Sequence, residues 1–358
     1  MRVAVVFGGC SVEHEISIIT GMQVIASLNK QKHKVYPVYL TKENKFMMGK
    51  KLGNLETYKQ DKIKMSEVVF ARRKIITNLY TIPIDVVVLC VHGRGVEGGE
   101  LAGFFEILSI PYTSAISLTA SICQNKVITK KLLSFENIPV VKFTSFSFEK
   151  WTNNRDTVLQ NCYDLGFPLI AKAASLGSSI GIEFINSQEE LEEKIISLFK
   201  YDDEVLVEVA LRDFREFNCS IIDEDLISVI EEVNTSNDLL TFNDKYEETD
   251  AQRTIPAILT KELEDKVIEM TKKIACIIKN KGVSRIDYLY DVSEDVLYCN
   301  EVNTIPGSMA YYLYEDKGIY FDELLDIIIE RAITRNHFKK QKINTFSSNV
   351  LNMKGIKK

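Results

Sequence analysis

Continuous apolar runs open the chain, and segments of helical spacing separate them. Residues 2–7 form a Val-rich run that ends in Gly8-Gly9, and residues 85–91 (DVVVLCV) form another. Across 11–28 the apolar positions Ile16, Ile19, Met22, Val24, Ile25 and Leu28 recur at roughly helical intervals, and 35–40 reads as a second strand. Strands apolar along their whole length, alternating with helices, predict an α/β lobe with an open parallel sheet covered on both faces. Glycines follow the carboxyl ends of two of these strands, at Gly8-Gly9 and at Gly93 and Gly95. An open α/β sheet binds its ligand at that edge.

From about residue 116 the pattern changes to α+β. One long helix is predicted over 118–135, then strands over 140–146, 168–173 and 180–185, a helix over 188–199 and a strand over 205–209. A polar, irregular stretch covers 235–252, a long helix 261–279, and two paired strands 284–290 and 296–302. The Lys-, Asn- and Ser-rich tail after Arg335 has no periodicity and is expected to fray, though a basic interaction arm is the other reading.

Composition narrows the class. A chain of 358 residues exceeds one compact core, so two or three lobes are expected. A net charge of -6 supplies no basic field, which argues against a nucleic-acid partner. No apolar run reaches bilayer length, and the opening run is too brief for a signal peptide. The seven cysteines are scattered without Cys-x-x-Cys spacing, which predicts reduced, mostly buried thiols in a cytoplasmic protein. Only four histidines occur, none at ligand spacing from a cysteine, which disfavours transition-metal chemistry.

Several clusters can carry chemistry. In KAASLGSSIG (172–181), Lys172 at a strand end precedes a small-residue loop whose N–H groups and hydroxyls could close over phosphates. An ordinary Gly/Ser hairpin is the other reading. In SRIDYLYD and VLYCNEVNTIPG, adjacent strands could gather Asp287, Glu301 and Asn303, with Glu301 and Asn303 on one face. Three oxygen-bearing side chains at a hairpin end suit Mg²⁺, and Arg285 shares the face of Asp287. An exposed charged hairpin leaves a Glu-x-Asn pair in an apolar strand unexplained. Glu13, in SVEHEIS, sits at the sheet mouth near a helix N-terminus and could bind an ammonium group; a helix cap at Ser11 is the alternative. His92 in VHGRGVEGGE resembles a strand-end loop residue beside a ligand, although a lone histidine there is more often a hydrogen-bonded structural residue.

In this order the motifs FGGCSVEHEIS, HGRGVEGGELAGFFEILSIPYT, KAASLGSSIGI, DKY, RID and NEVNTIPG resemble the D-alanine–D-alanine ligase family of the ATP-grasp superfamily. The resemblance spans Val3 to about Ile329. It implies an ATP-grasp fold with an N-terminal open parallel-sheet (pre-ATP-grasp) domain. The divisions expected are 1–115 for the N-terminal substrate-binding domain and 116–204 for the central ATP-grasp lobe. They continue with 205–335 for the C-terminal lobe carrying the metal site and 336–358 for the tail. The implied activity is an ATP-dependent carbon–nitrogen ligase that forms a dipeptide through an acyl phosphate, for peptidoglycan precursor synthesis. ATP is a substrate, and Mg²⁺ or Mn²⁺ the metal. The implied ATP site comprises Lys126, Lys172, Ser178, Ser179, Glu208, Glu216 and Lys245. Glu13, Ser178 and Tyr246 would form a hydrogen-bonded set at the first amino acid, and Lys245 and Tyr246 would belong to a lid. Arg285 and the Gly307 N–H would stabilise an oxyanion, while Asp287, Glu301 and Asn303 would hold the metal. The resemblance also implies D-alanine as substrate and a homodimer.

The chain departs from the family at several positions. Gln124-Asn125-Lys126 replaces Met-Asp-Lys, Lys172-Ala173 replaces Lys-Pro, and Glu97-Gly98-Gly99 replaces Glu-Asp-Gly. Tyr312 stands where the family has a Ser near the second substrate, and Ser308 is a candidate for compensating it. A D-alanyl-D-serine or other small-dipeptide ligase is therefore an alternative, and a catalytically inactive ATP-binding protein is a third reading.

Overall fold

Valines without exposed surface build the first lobe. In the computed structural model, which describes residues 1–59, 63–234 and 252–348, Arg2–Gly8 is the central strand. It pairs in parallel with Lys34–Leu40 on one side and Val86–Cys90 on the other. Val3 to Phe7 and Val86 to Cys90 are all buried, as an apolar strand covered on both faces requires. The edge of the sheet differs from expectation. Phe46–Met48 adds antiparallel to Lys34–Leu40, and Ser66–Glu67 follows it. A separate antiparallel meander runs Val69–Ala71, Lys74–Ile76 and Thr81–Pro83. Ser66–Glu67 and the meander strands are two or three residues long with exposed positions, and Phe46–Met48 is only three residues long, so none offers a run long enough to read.

The single helix expected over 118–135 is two helices. Ser117–Gln124 ends at Asn125, whose backbone is extended, and Lys126–Phe135 begins anew. The Asn125 side chain accepts from the Ile128 N–H at 2.9 Å, and the Lys126 N–H donates to the Ala174 carbonyl at 2.8 Å. A side-chain cap and an outside partner for the first N–H outweigh one more turn of continuous helix.

Two antiparallel sheets follow. The four-stranded one orders Ile182–Ile185, Leu169–Ala173, Glu204–Val209 and Phe143–Ser147. The five-stranded one orders Gln252–Thr254, Leu226–Asn234, Phe214–Ile222, Val283–Asp291 and Val296–Asn303. Glu204–Val209 therefore belongs to the central sheet, and the division drawn at 205 moves to the turn before Phe214. Packing redraws a second boundary. Cys123, Leu133 and Ile138 share a core with helix Lys261–Ile277 and the five-stranded sheet, so the helix pair is built into the third lobe. The chain then returns to the first lobe, where Ile305, Met309 and Leu313 and helix Phe321–Lys340 (through Leu324, Leu325, Ile328 and Ile329) join the core of Val3 to Phe7. That helix continues five residues past the expected fraying point, and of the described tail, residues 341–348 lack regular structure. None of the described helices is long and apolar enough to cross a membrane.

Candidate active site

Two adjoining cavities open at the meeting of these lobes. The larger, about 220 Å³, is walled by Glu13, His92, Arg285, Gly307 and Tyr312 among others. The smaller, about 100 Å³, is walled by Lys172, Glu208 and Asp287. Lys126, Ser178, Glu216 and Glu301 border both, which makes one continuous cleft.

The smaller cavity is dense in charge. Lys172 Nζ lies 2.7 Å from one oxygen of Glu208 and donates to Asn300 Oδ1 at 3.2 Å. The other oxygen of Glu208 lies 2.6 Å from Nζ of Lys130, which is only 1% exposed. Burial by itself would push the Glu208 carboxyl up, but the two ammonium groups reverse this and hold it at about 2. Burial would likewise lower the Lys172 ammonium, and Glu208 raises it instead. Lys130 was not singled out in the sequence, yet it stands one helical turn from Lys126, and that spacing puts the two on one helix face. Lys126 donates to the Leu176 carbonyl and lies 3.3 Å from Glu301, so it ties the glycine-rich loop to the hairpin.

The loop itself turns through left-handed backbone at Ser178 (φ 53°) and Ser179 (φ 58°), closing between Lys172 and Ile182 in register. This turn delivers the Ser178 hydroxyl to Glu13, to which it donates a hydrogen bond. A Cβ at Gly177 would stand 3.1 Å from the Glu13 carboxylate, so glycine gives this approach its room. Glu13 is buried, and its N–H donates to Ser11 Oγ, whose hydroxyl donates to the His92 carbonyl. The helix starts after Glu13 with no side-chain cap, so Ser11 does not cap it as expected: its hydroxyl braces the turn before the helix, and Glu13 borders the cavity.

His92 lies 2.9 Å from Thr20 Oγ1, and its N–H donates to Ser17 Oγ. Burial lowers its pKa to about 4, so the ring is neutral at physiological pH. Glu97, not named as a site residue from sequence, accepts from the N–H groups of Gly93 and Ile305 at 2.9 and 3.0 Å. Burial and the neighbouring Glu13 raise it to about 8.

The hairpin Val283–Asp291 and Val296–Asn303 sets Asp287 opposite Glu301 and Arg285 opposite Asn303. Arg285 forks onto Asp287 at 2.7 and 2.8 Å, and Asn303 Nδ2 donates to Asp287 Oδ2 at 3.0 Å. Burial opposes the charge on Arg285, and Asp287 overcomes it, raising its pKa further. Two carboxylates and an amide at one hairpin end form a hard oxygen donor set, the kind Mg²⁺ takes. Asp287 is buried at its base with the Arg285 fork as its counter-ion, and Glu301 stands opposite it in the hairpin. The residues fit that ion.

On the far side of the larger cavity the chain turns through three left-handed residues, Ser308, Met309 and Ala310, with φ of 53°, 54° and 49°. This uncommon run for side-chain-bearing residues swings Tyr312 into the cavity. Ser308 also borders the cavity, but its hydroxyl donates to Gln23 Oε1 at 2.6 Å and its N–H donates to Thr20 at 3.3 Å. Its polar groups therefore hold the turn to helix His14–Ser27. Gly307 faces open space where a side chain would stand. Lys245 and Tyr246 lie outside the described residues.

Comparison with known proteins matches residues 2–115 to the N-terminal domain of D-ala D-ala ligases and residues 132–330 to their C-terminal domain. The D-alanine–D-alanine ligase of Thermosipho africanus is 36% identical over 368 aligned positions, covering 99% of each chain. That of Caldicellulosiruptor bescii is 33% identical, covering 95% of this chain and 97% of its own. Among solved structures, the VanG D-Ala:D-Ser ligase from Enterococcus faecalis superposes with a TM-score of 0.81 at 28% identity, over 92% of this chain and 99% of that one. A Bacillus anthracis D-alanine–D-alanine ligase complexed with ATP superposes with a TM-score of 0.71 at 26% identity, over 95% and 99%.

Proposed function

From the premise that this chain belongs to the D-alanine–D-alanine ligase family, matched by both of its domains, we propose that it joins two D-alanine molecules at the expense of ATP, forming ADP and phosphate. The observation that carries the reading is the continuous cleft. Lys126, Lys172 and Glu208 mark one end, Glu13, Arg285 and Gly307 the other, and the Asp287–Glu301–Asn303 hairpin lies between.

A carboxylate is a poor electrophile. A carboxylate oxygen of the first D-alanine takes the γ-phosphoryl group of ATP, and the bond from that phosphorus to ADP breaks. The neutral amine of the second D-alanine then attacks the acyl carbon. A C–N bond forms, the C–O bond to phosphate breaks, phosphate leaves, and the nitrogen gives up a proton.

This chain's residues fit those demands in named roles. Lys126 and Lys172 offset charge on the phosphates, with Glu208 and Glu216 on the nucleoside side and Ser178 and Ser179 closing over them. Glu13 binds the ammonium of the first amino acid, its position set by Ser178, with neutral His92 alongside. Arg285 and the Gly307 N–H face the oxyanion of the tetrahedral intermediate. Asp287, Glu301 and Asn303 would hold Mg²⁺, which when bound neutralises phosphate charge. Lys245 and Tyr246 complete the site as lid residues in this reading. A homodimer in the cytoplasm, serving peptidoglycan precursor synthesis, goes with it.

The test is phosphate release from ATP with Mg²⁺ and D-alanine, alone and with a panel of small acceptors, products identified by mass. D-Alanyl-D-alanine from D-alanine alone is the expected result. Release that needs another acceptor keeps the ligase chemistry and moves the specificity.

A further inference from the structure

One wall of the larger cavity is held from behind by a single carboxylate. Glu231, on strand Leu226–Asn234, has no exposed surface and does not itself line the cavity. Three residues that do line it converge on Glu231. Asn218, directly opposite in the sheet, donates Nδ2 to Oε2 at 2.9 Å, and the Tyr312 hydroxyl donates to the same oxygen at 3.3 Å. Arg253 approaches from the edge strand Gln252–Thr254, with Nη1 3.5 Å from Oε1. Oε1 accepts no hydrogen bond among the described residues. A buried carboxylate left without a cation is costly, so Glu231 keeps the Arg253 guanidinium drawn to this wall.

Arg253 is set apart from the other guanidinium of the cavity. Arg285 commits two N–H groups to Asp287. The Arg253 side chain is 47% exposed, lies 5.8 Å from the centre of the Tyr312 ring, and makes one ion contact too long for a hydrogen bond. Its planar fork of five donors is thus available on the cavity side, and that fork matches a carboxylate. The Tyr312 hydroxyl lies within electrostatic reach of both guanidinium groups, and Tyr312 lines the larger cavity but not the smaller one that holds Lys172. An amino acid entering here has its amine to present to the acyl carbon at Arg285 and a carboxylate to place elsewhere.

We propose that Arg253, together with the Tyr312 hydroxyl, receives the carboxylate of the second amino acid, and that buried Glu231 is the positioning residue for both. The inference rests on the ligase reading and specifies its acceptor as a small amino acid with a free α-carboxylate. Neutral acceptors of the same shape are disfavoured, because they offer the guanidinium fork no anionic partner on the cavity side.

Competition between acceptors tests it. The full chain is given ATP, Mg²⁺ and D-alanine, with D-alaninamide as a second acceptor, and the two products are quantified by mass. The wild-type chain favours D-alanyl-D-alanine. Arg253→Met is expected to form it at least tenfold more slowly while forming D-alanyl-D-alaninamide at an unchanged rate, and Arg253→Lys to recover part of the preference. Tyr312→Phe should shift the ratio the same way by a smaller factor, with unchanged thermal unfolding. An equal fall for both acceptors in Arg253→Met, or no fall for either, overturns the inference alone. A wild-type chain that forms neither product overturns the ligase reading and the inference with it.

Discussion

The two ends of the cleft solve the problem of buried charge differently. At the lysine end, Lys126, Lys130 and Lys172 meet Glu208 and Glu301 within 3.3 Å, and the groups come from one helix and from strands of both antiparallel sheets. Lys126, Lys172, Glu208 and Glu301 border the cleft, Lys130 is buried out of it against Glu208, and each charge lies within ion-pair reach of a counter-ion. At the Tyr312 end, one carboxylate is withdrawn behind the wall and acts through the side chains it holds. The first arrangement suits a polyanion, which displaces one set of partners for another. The second suits a small zwitterion, for which orientation matters more than charge density. The lysine end is accordingly the more exposed to loss of a single charge, and the Tyr312 end to loss of shape.

The largest expected effect comes from the hairpin between the two ends. Glu301→Gln should lower kcat on the order of a thousandfold, the equivalent of several kcal/mol of charge stabilisation, without altering thermal unfolding. Near-normal turnover in the folded variant would remove Glu301 from the metal set. Next is the buried ion cluster. Lys130→Met leaves Glu208 with Lys172 alone and should cost about 3 kcal/mol of stability, read by denaturant titration.

That cluster also has a pH signature. Glu208 is held at about 2 against an ordinary 4.5, so its contribution to stability is present above about 4.5 and is lost as pH falls toward 2. Lys130→Met raises the folded-state value toward the ordinary one. The unfolding temperature of the variant should therefore fall less steeply than wild type between pH 4.5 and 2. Parallel curves would show that Lys130 does not set the Glu208 charge.

At the other end, Tyr312→Ser removes a ring and one hydrogen bond to Glu231 and should change the KM for the second amino acid by roughly five- to tenfold, about 1 kcal/mol. The KM for ATP should stay constant. A change in both would mean that the two ends are not separable. The smallest effect is expected from Ser308→Ala, whose hydroxyl faces Gln23: second-substrate KM should move less than twofold, and a tenfold rise would return Ser308 to the acceptor site.

Much of this was legible in the order of the residues. The Val-rich strands read as buried because an apolar run has no face to give to water, and they are buried. The alternation of Arg285 with Asp287 and of Glu301 with Asn303 placed four polar groups together before any fold was known, and the hairpin sets them opposite one another. The same reasoning could have found Glu231. Glu231 and Glu232 sit in the largely apolar LISVIEEVN, and alternation sends one of them inward. Arg253 left no comparable signal, because a lone cation on a three-residue edge strand looks like any solvated charge.

What the sequence determined by itself was local: period, turn chemistry and the ordered motifs that carry the family likeness. What tertiary structure decided was non-local. Asn125 breaks a helix-compatible run because Ala174, fifty residues away, supplies a partner for the Lys126 N–H. Glu204–Val209 joins the central sheet because Leu169–Ala173 and Phe143–Ser147 offer it two ladders. Residues 305–329 return to the first core because their apolar positions complete it. The wall around Glu231 gathers three strands and a turn for the same reason. Burial of a charge is settled by whichever partners the fold brings within reach, and no local window of sequence contains them.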